Sequence, residues 1–148
     1  MKTISLWQPW ASAIALGAKR IETRSWSTSY RGPLAIHAAK RCIKEELIHL
    51  SCLHNWHGAL YFNQNFLALP FGAVIAICEL VDCRPTESFT NGELDAVRFP
   101  PHLSVYGWTE RSMGDFGLGR FGWVLANIKA LDDPIPLKGM QGLFEWKI

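Results

Sequence analysis

Gly72-Ala-Val-Ile-Ala-Ile-Cys-Glu-Leu-Val-Asp82 is the stretch that decides the fold class. Its apolar, β-branched run opens at a glycine and reads as a buried strand. Downstream, Gly122 to Leu131 reads as another strand and Pro134-Ile-Pro-Leu-Lys138 as extended chain. Gly139-Met-Gln-Gly142 then turns into a last strand, Leu143 to Ile148. Upstream, Ile4-Ser5-Leu6 reads as a short first strand. Leu34-Ala-Ile-His-Ala38 reads as a second, after a turn at Tyr30-Arg31-Gly32-Pro33. Between them Pro9 opens and Gly17 closes a short apolar helix, Trp10 to Leu16. Ile43, Leu47 and Leu50 give one apolar face to a helix over Cys42 to Leu50. Cys52 to Pro70 and Phe99 to Gly119 read as loop, and Thr86 to Val97 as loop with one short helix. Strands dominate the second half without alternating helices. The expected class is α+β, a small mixed or closed β-sheet with helices packed at its side.

The chain has 148 residues, which predicts a single domain over residues 1–148. At 49% hydrophobic and 19% charged residues, wholesale disorder is excluded. Fifteen Lys and Arg against 13 Asp and Glu leave a net charge of +2. That excludes a nucleic-acid binder working by charge density alone, but leaves room for a local basic groove. No run approaches the ~18 apolar residues of a membrane span, and the opening residues lack the apolar core of a signal peptide. Cys42, Cys52, Cys78 and Cys83 form no C-x-x-C, so reduced thiols in a cytoplasmic protein are expected. Cys52-Leu-His54-Asn-Trp-His57 groups good metal ligands, yet a fourth at regular spacing is missing. Neither a metal nor a cofactor is expected.

The densest polar cluster is Gly17-Ala-Lys19-Arg-Ile-Glu22-Thr-Arg24, with Trp7-Gln8-Pro9-Trp10 before it and Trp26 after it. If extended, Glu22 and Arg24 share one face and Lys19, Ile21 and Thr23 the other. If helical, Lys19 neighbours Glu22 and Thr23. Either way, cations and a carboxylate crowd beside aromatic rings. Those groups suit a nucleobase: indoles stack, a carboxylate accepts from an exocyclic amine, and a cation meets phosphate or carbonyl. The plainer reading is an ion pair on a solvated edge with tryptophans in the core, Trp10 first among them. Gln8 offers an amide to a base edge, Arg31 a cation at a turn, and Lys40 and Arg41 extend a basic rim. His37 reads as a core-edge histidine satisfied by a local hydrogen bond. Glu79, in an apolar strand, must be paired or exposed on one sheet face.

Three blocks resemble the ASCH domain family. They are Ser5-Leu-Trp-Gln-Pro-Trp-Ala-Ser12, Gly17 to Trp26, and Arg31-Gly-Pro-Leu-Ala-Ile36. The family signature G-x-K-x-x-E-x-R falls on Gly17, Lys19, Glu22 and Arg24. The resemblance implies a PUA-like β-barrel whose cleft, lined by the signature, takes RNA, DNA or a modified nucleoside. The binding residues it suggests here are Trp7, Gln8, Lys19, Glu22, Arg24, Trp26 and Arg31. An alternative it implies is a hydrolase, either of the acetyl amide of N4-acetylcytidine or of RNA, with Lys19 and Glu22 catalytic. The hydrolase members also use a threonine three positions after the lysine. Glu22 holds that position here, and Thr23 is one step displaced, onto the other face of a strand. A third reading is a module that docks a partner protein.

Overall fold

The computed structural model describes residues 1–41, 69–98 and 109–148. The expected helix over Cys42 to Leu50 and the Cys52, His54 and His57 group lie outside the described residues. In chain order the elements are β1 (Lys2–Leu6), α1 (Trp10–Ala15), β2 (Ile21–Arg24), β3 (Gly32–Ala38) and β4 (Ala73–Pro85). They continue with α2 (Asn91–Leu94), β5 (Phe121–Pro136) and β6 (Leu143–Glu145). Single 3₁₀ turns occupy Thr86–Ser88 and Arg111–Met113.

Six strands form one curled sheet, a half-barrel, in the order β2-β5-β4-β3-β1-β6. β1 and β3 run parallel, with Ile4 opposite Ile36, and the other pairs are antiparallel. A parallel pair needs a crossover. Here α1 and β2 lie in that connection, and β2 is carried to the far edge of the sheet. The expected mixed sheet with a helix at its side is therefore present. Ala11 and Ile14 of α1 are fully buried in a core with Ile4, Leu6, Leu34, Ile36, Leu80 and Trp123.

The curl comes from irregular pairing between β4 and β5, where the register shifts three times. Such bulges bend a strand and increase its twist. At one shift, Ile77 pairs Lys129 while Glu79 pairs Ala126, so β5 carries an extra residue. Asn127 lies there at φ 51°, a left-handed conformation asparagine tolerates, and its Nδ2 donates to Glu79 Oε2 at 2.9 Å. Another bulge absorbs Pro134, which cannot donate to a ladder. The two segments read separately, Gly122 to Leu131 and Pro134 to Lys138, are thus one long strand. The last strand is shorter than expected, ending at Glu145.

Trp10 corrects the expected core. It is only half-buried, whereas Trp123 is fully enclosed and donates from Nε1 to the Trp26 carbonyl at 3.3 Å. The bulge between Leu80 and Asp82 puts Trp123 opposite Cys83, in the middle of the curl. Among the described residues, no helix is long and apolar enough to cross a membrane.

Gly122 of β5 sits under the Phe89 ring, where an added Cβ would lie 2.4 Å from Cε2 and 3.0 Å from Ile21 Cγ2. Gly122→Ala is expected to lower stability by about 1–3 kcal/mol, through overpacking, in urea unfolding followed by circular dichroism. Burial, aided by the Glu79 charge, pushes the Cys78 thiol up to about 12. Thiolate is the reactive form, so Cys78 should stay unalkylated by iodoacetamide at pH 8 until the protein unfolds, as read by peptide mass spectrometry.

Candidate functional site

The signature begins where α1 ends. Gly17 takes φ +76°, a conformation that needs glycine, and closes the helix as a Schellman motif. Its N–H donates to the Ile14 carbonyl at 2.8 Å, and that of Ala18 to the Ala13 carbonyl at 3.1 Å. The Lys19 N–H returns to the same Ala13 carbonyl at 3.1 Å, which turns the lysine inward. The strand starts only at Ile21, so strand alternation does not govern Lys19.

Lys19 is fully buried. Its Nζ donates to the Ile21 carbonyl and lies 3.5 Å from Glu22 Oε2 and 4.0 Å from Glu110 Oε1. Glu110, equally buried, lies 90 residues further along the chain from Arg20. Its carboxylate accepts from the N–H groups of Ile21 at 2.9 Å and Arg20 at 3.0 Å, and from Arg98 Nη1 at 2.6 Å. Two cations and two carboxylates thus meet where α1 hands over to β2. Burying such charges is costly unless each is paired, and each of these has an opposite charge beside it.

Along β2, Ile21 and Thr23 point inward and Glu22 and Arg24 share the opposite face. Arg24 Nη2 donates to the Ser5 carbonyl at 2.8 Å, tying β2 to β1 across the open side of the curl. Its Nε lies 3.2 Å from Glu22 Oε1, but outside hydrogen-bonding geometry, and is buried without a hydrogen-bond partner. Beside this pair opens a recess of about 330 Å³. Trp7, Trp10 and Trp26 line it, with Glu22, Arg24 and Arg120 as its charged groups. Trp7 is 48% exposed, while Trp26 stands edge-on to Trp123 with centroids 4.7 Å apart.

Four of the seven expected residues, Trp7, Glu22, Arg24 and Trp26, are therefore brought together, and three are placed elsewhere. Lys19 lies behind Glu22, inside the core. Gln8 is buried, with Nε2 donating to Ser12 Oγ at 2.8 Å and the Pro70 carbonyl at 2.9 Å, so its amide is engaged in holding α1. Arg31 points along the sheet surface to the Thr28 and Tyr30 carbonyls and to Asp82. Glu79 is exposed on one sheet face.

Arg120 and Glu110 were not legible in the sequence. Arg120 reaches the recess because Arg24 pairs with Phe121, the next residue, and its Nη2 donates to the Thr23 carbonyl at 3.4 Å. Glu110 sits in a stretch without periodicity, and only its tertiary partners reveal it. Among the described residues, no group of three His, Cys, Asp or Glu could hold a metal ion.

Glu110→Ala leaves Arg98 and two N–H groups without their acceptor and removes one of the two carboxylates beside buried Lys19. A loss of about 3–5 kcal/mol is expected in denaturant unfolding, the range for breaking a buried ion pair.

The family model described as the ASCH domain matches residues 4–134. The chain is 34% identical over 89 residues to activating signal cointegrator 1 of Homo sapiens and equally to that of Mus musculus. The match covers 58% of this chain and 15% of the cointegrator, so the chain spans a small part of those relatives' length. Two crystal structures share the fold. ASCH from Zymomonas mobilis has a TM-score of 0.52 at 15% identity, over 99% of this chain and 87% of that one. A point variant of the same protein has a TM-score of 0.52 at 14% identity, over 99% and 89%. The half-barrel, the helix at its side and the match over residues 4–134 place this chain in the ASCH domain family, with a PUA-like α+β fold.

Proposed function

We propose that the tryptophan recess binds one base of a nucleic acid, RNA in the first place, or a modified nucleotide of the same shape. The observation that carries this reading is one recess lined by three indoles together with the Glu22 carboxylate and the Arg24 guanidinium. Glu22 accepts from an exocyclic amine, Arg24 donates to a ring carbonyl or phosphate oxygen, and the indoles stack on the base face. A volume of about 330 Å³ lies in the range of small-ligand sites.

Lys19 acts here through Glu22, as a positioning residue. Its ammonium fixes the carboxylate and never meets the ligand. The hydrolytic alternative asks Lys19 to exchange protons with substrate, and its burial against the Ile21 carbonyl argues for binding over hydrolysis.

Arg24→Ala and Trp7→Ala are each expected to weaken binding of a fluorescein-labelled single-stranded oligoribonucleotide about tenfold, read by anisotropy. One base stack is worth roughly 1–3 kcal/mol. Lys19→Ala should weaken it as well, by releasing Glu22. Wild-type affinity in both Arg24→Ala and Trp7→Ala would overturn the reading. Deacetylation of N4-acetylcytidine by the wild type that is lost in Lys19→Ala would replace it with the hydrolase.

A further inference from the structure

A second, larger cleft adjoins the recess. It measures about 810 Å³ and shares Ser5 with the smaller one. Lys40, Arg41 and Lys138 line it, and among the described residues no acidic one does. Among the described residues none of these three cations has an ion-pair partner, unlike Arg24, Arg31, Arg84, Arg98, Arg111 and Arg120. Arg41 also stands over the exposed Trp7 ring, 6.0 Å from its centroid, so the cation row reaches an indole of the first recess.

The backbone that carries these cations is anchored. The Ala39 N–H donates to the Leu6 carbonyl and that of Gly72 to the Ala38 carbonyl, each at 2.8 Å, which fixes the entry to Lys40 and Arg41. On the other wall, the Leu137 N–H donates to the Gly72 carbonyl at 3.0 Å. The Leu137 carbonyl accepts from His37 Nε2 at 2.9 Å. A carbonyl only accepts, so Nε2 carries the proton, and in the neutral ring Nδ1 accepts from Ser5 Oγ at 2.9 Å. Gly139 closes over this pair. A Cβ there would lie 2.5 Å from His37 Cε1 and 2.8 Å from Ser5 Oγ, so only glycine lets the Lys138 segment approach. Neighbouring residues thus fix the backbone on both sides of the cleft.

We infer that the Lys40, Arg41 and Lys138 cleft binds the phosphates next to the nucleotide whose base fills the tryptophan recess. The ligand is then a single-stranded oligonucleotide and not a free nucleoside. This rests on the reading of the recess given above. Single-stranded chemistry follows from the indoles, which can stack only on a base that has left its duplex. The cations add affinity without reading sequence.

The test uses the full chain and a short fluorescein-labelled single-stranded oligoribonucleotide, titrated over a range of salt. Lys40→Ala/Lys138→Ala removes two exposed cations outside the core, and circular dichroism checks that it folds. It should weaken binding at least tenfold at low salt and flatten the log–log salt slope by about 1.4, at roughly 0.7 per phosphate on a single strand. Trp7→Ala, run in parallel, should lose affinity with the salt slope unchanged. Wild-type affinity and slope in the double variant would overturn the phosphate cleft while leaving the recess reading intact. Wild-type affinity in Trp7→Ala, with loss in the double variant, would overturn the recess and with it the coupling. Equal loss for a duplex of the same length would reduce the cleft to a general polyanion surface and overturn the single-strand claim.

Discussion

The ammonium of Lys19 lies where α1 turns into β2, sealed from water and held between the Glu22 and Glu110 carboxylates. An ammonium so placed must have acceptors around it, because an unpaired buried charge costs several kcal/mol. That requirement reaches outward. Glu110 answers Lys19 and also closes the first N–H groups of β2, while Arg98 answers Glu110. The result joins helix end, strand start and a distant stretch of chain into one unit. The sheet edge that carries Glu22 and Arg24 depends on it.

From this anchor the recess follows by strand geometry. Glu22 and Arg24 fall on one face because β2 is extended, and Arg24 bridges to the Ser5 carbonyl across the open side of the half-barrel. The β2–β5 register, which sets Arg24 opposite Phe121, brings Arg120 to the same place. The signature therefore divides its labour. Gly17 and Lys19 build the support, and Glu22 and Arg24 face the recess. A motif that looks like a uniform polar cluster in one dimension separates into a structural half and an exposed half in three.

Ser5 is the hinge between the two clefts. Its carbonyl is taken by Arg24 on one side and its hydroxyl by His37 on the other. His37 in turn holds the Leu137 carbonyl, and Gly139 allows the contact. The plain reading of His37 as a locally satisfied histidine is met, and its partners are the ones that fix the wall carrying Lys138. Aromatic and cationic surfaces thus stand side by side on a rigid frame, with a net chain charge of only +2. Local arrangement concentrates positive charge in a way the near-neutral net charge does not show.

Much of this was legible in the chain itself. The apolar run after Gly72, the helix closed by Gly17 and the charged signature beside Trp7 and Trp26 determined the strand-rich α+β class and the neighbourhood of the site, because period, glycine conformation and residue chemistry act locally. Other features were decided only by the tertiary structure. The burial of Lys19 depends on Glu110, the place of Arg120 depends on the β2–β5 register, and the diversion of Gln8 and Arg31 depends on Pro70 and Asp82. Each is a contact between residues far apart in sequence. The free energy of a charge is set by the groups that surround it after folding, and no local pattern records which groups those will be.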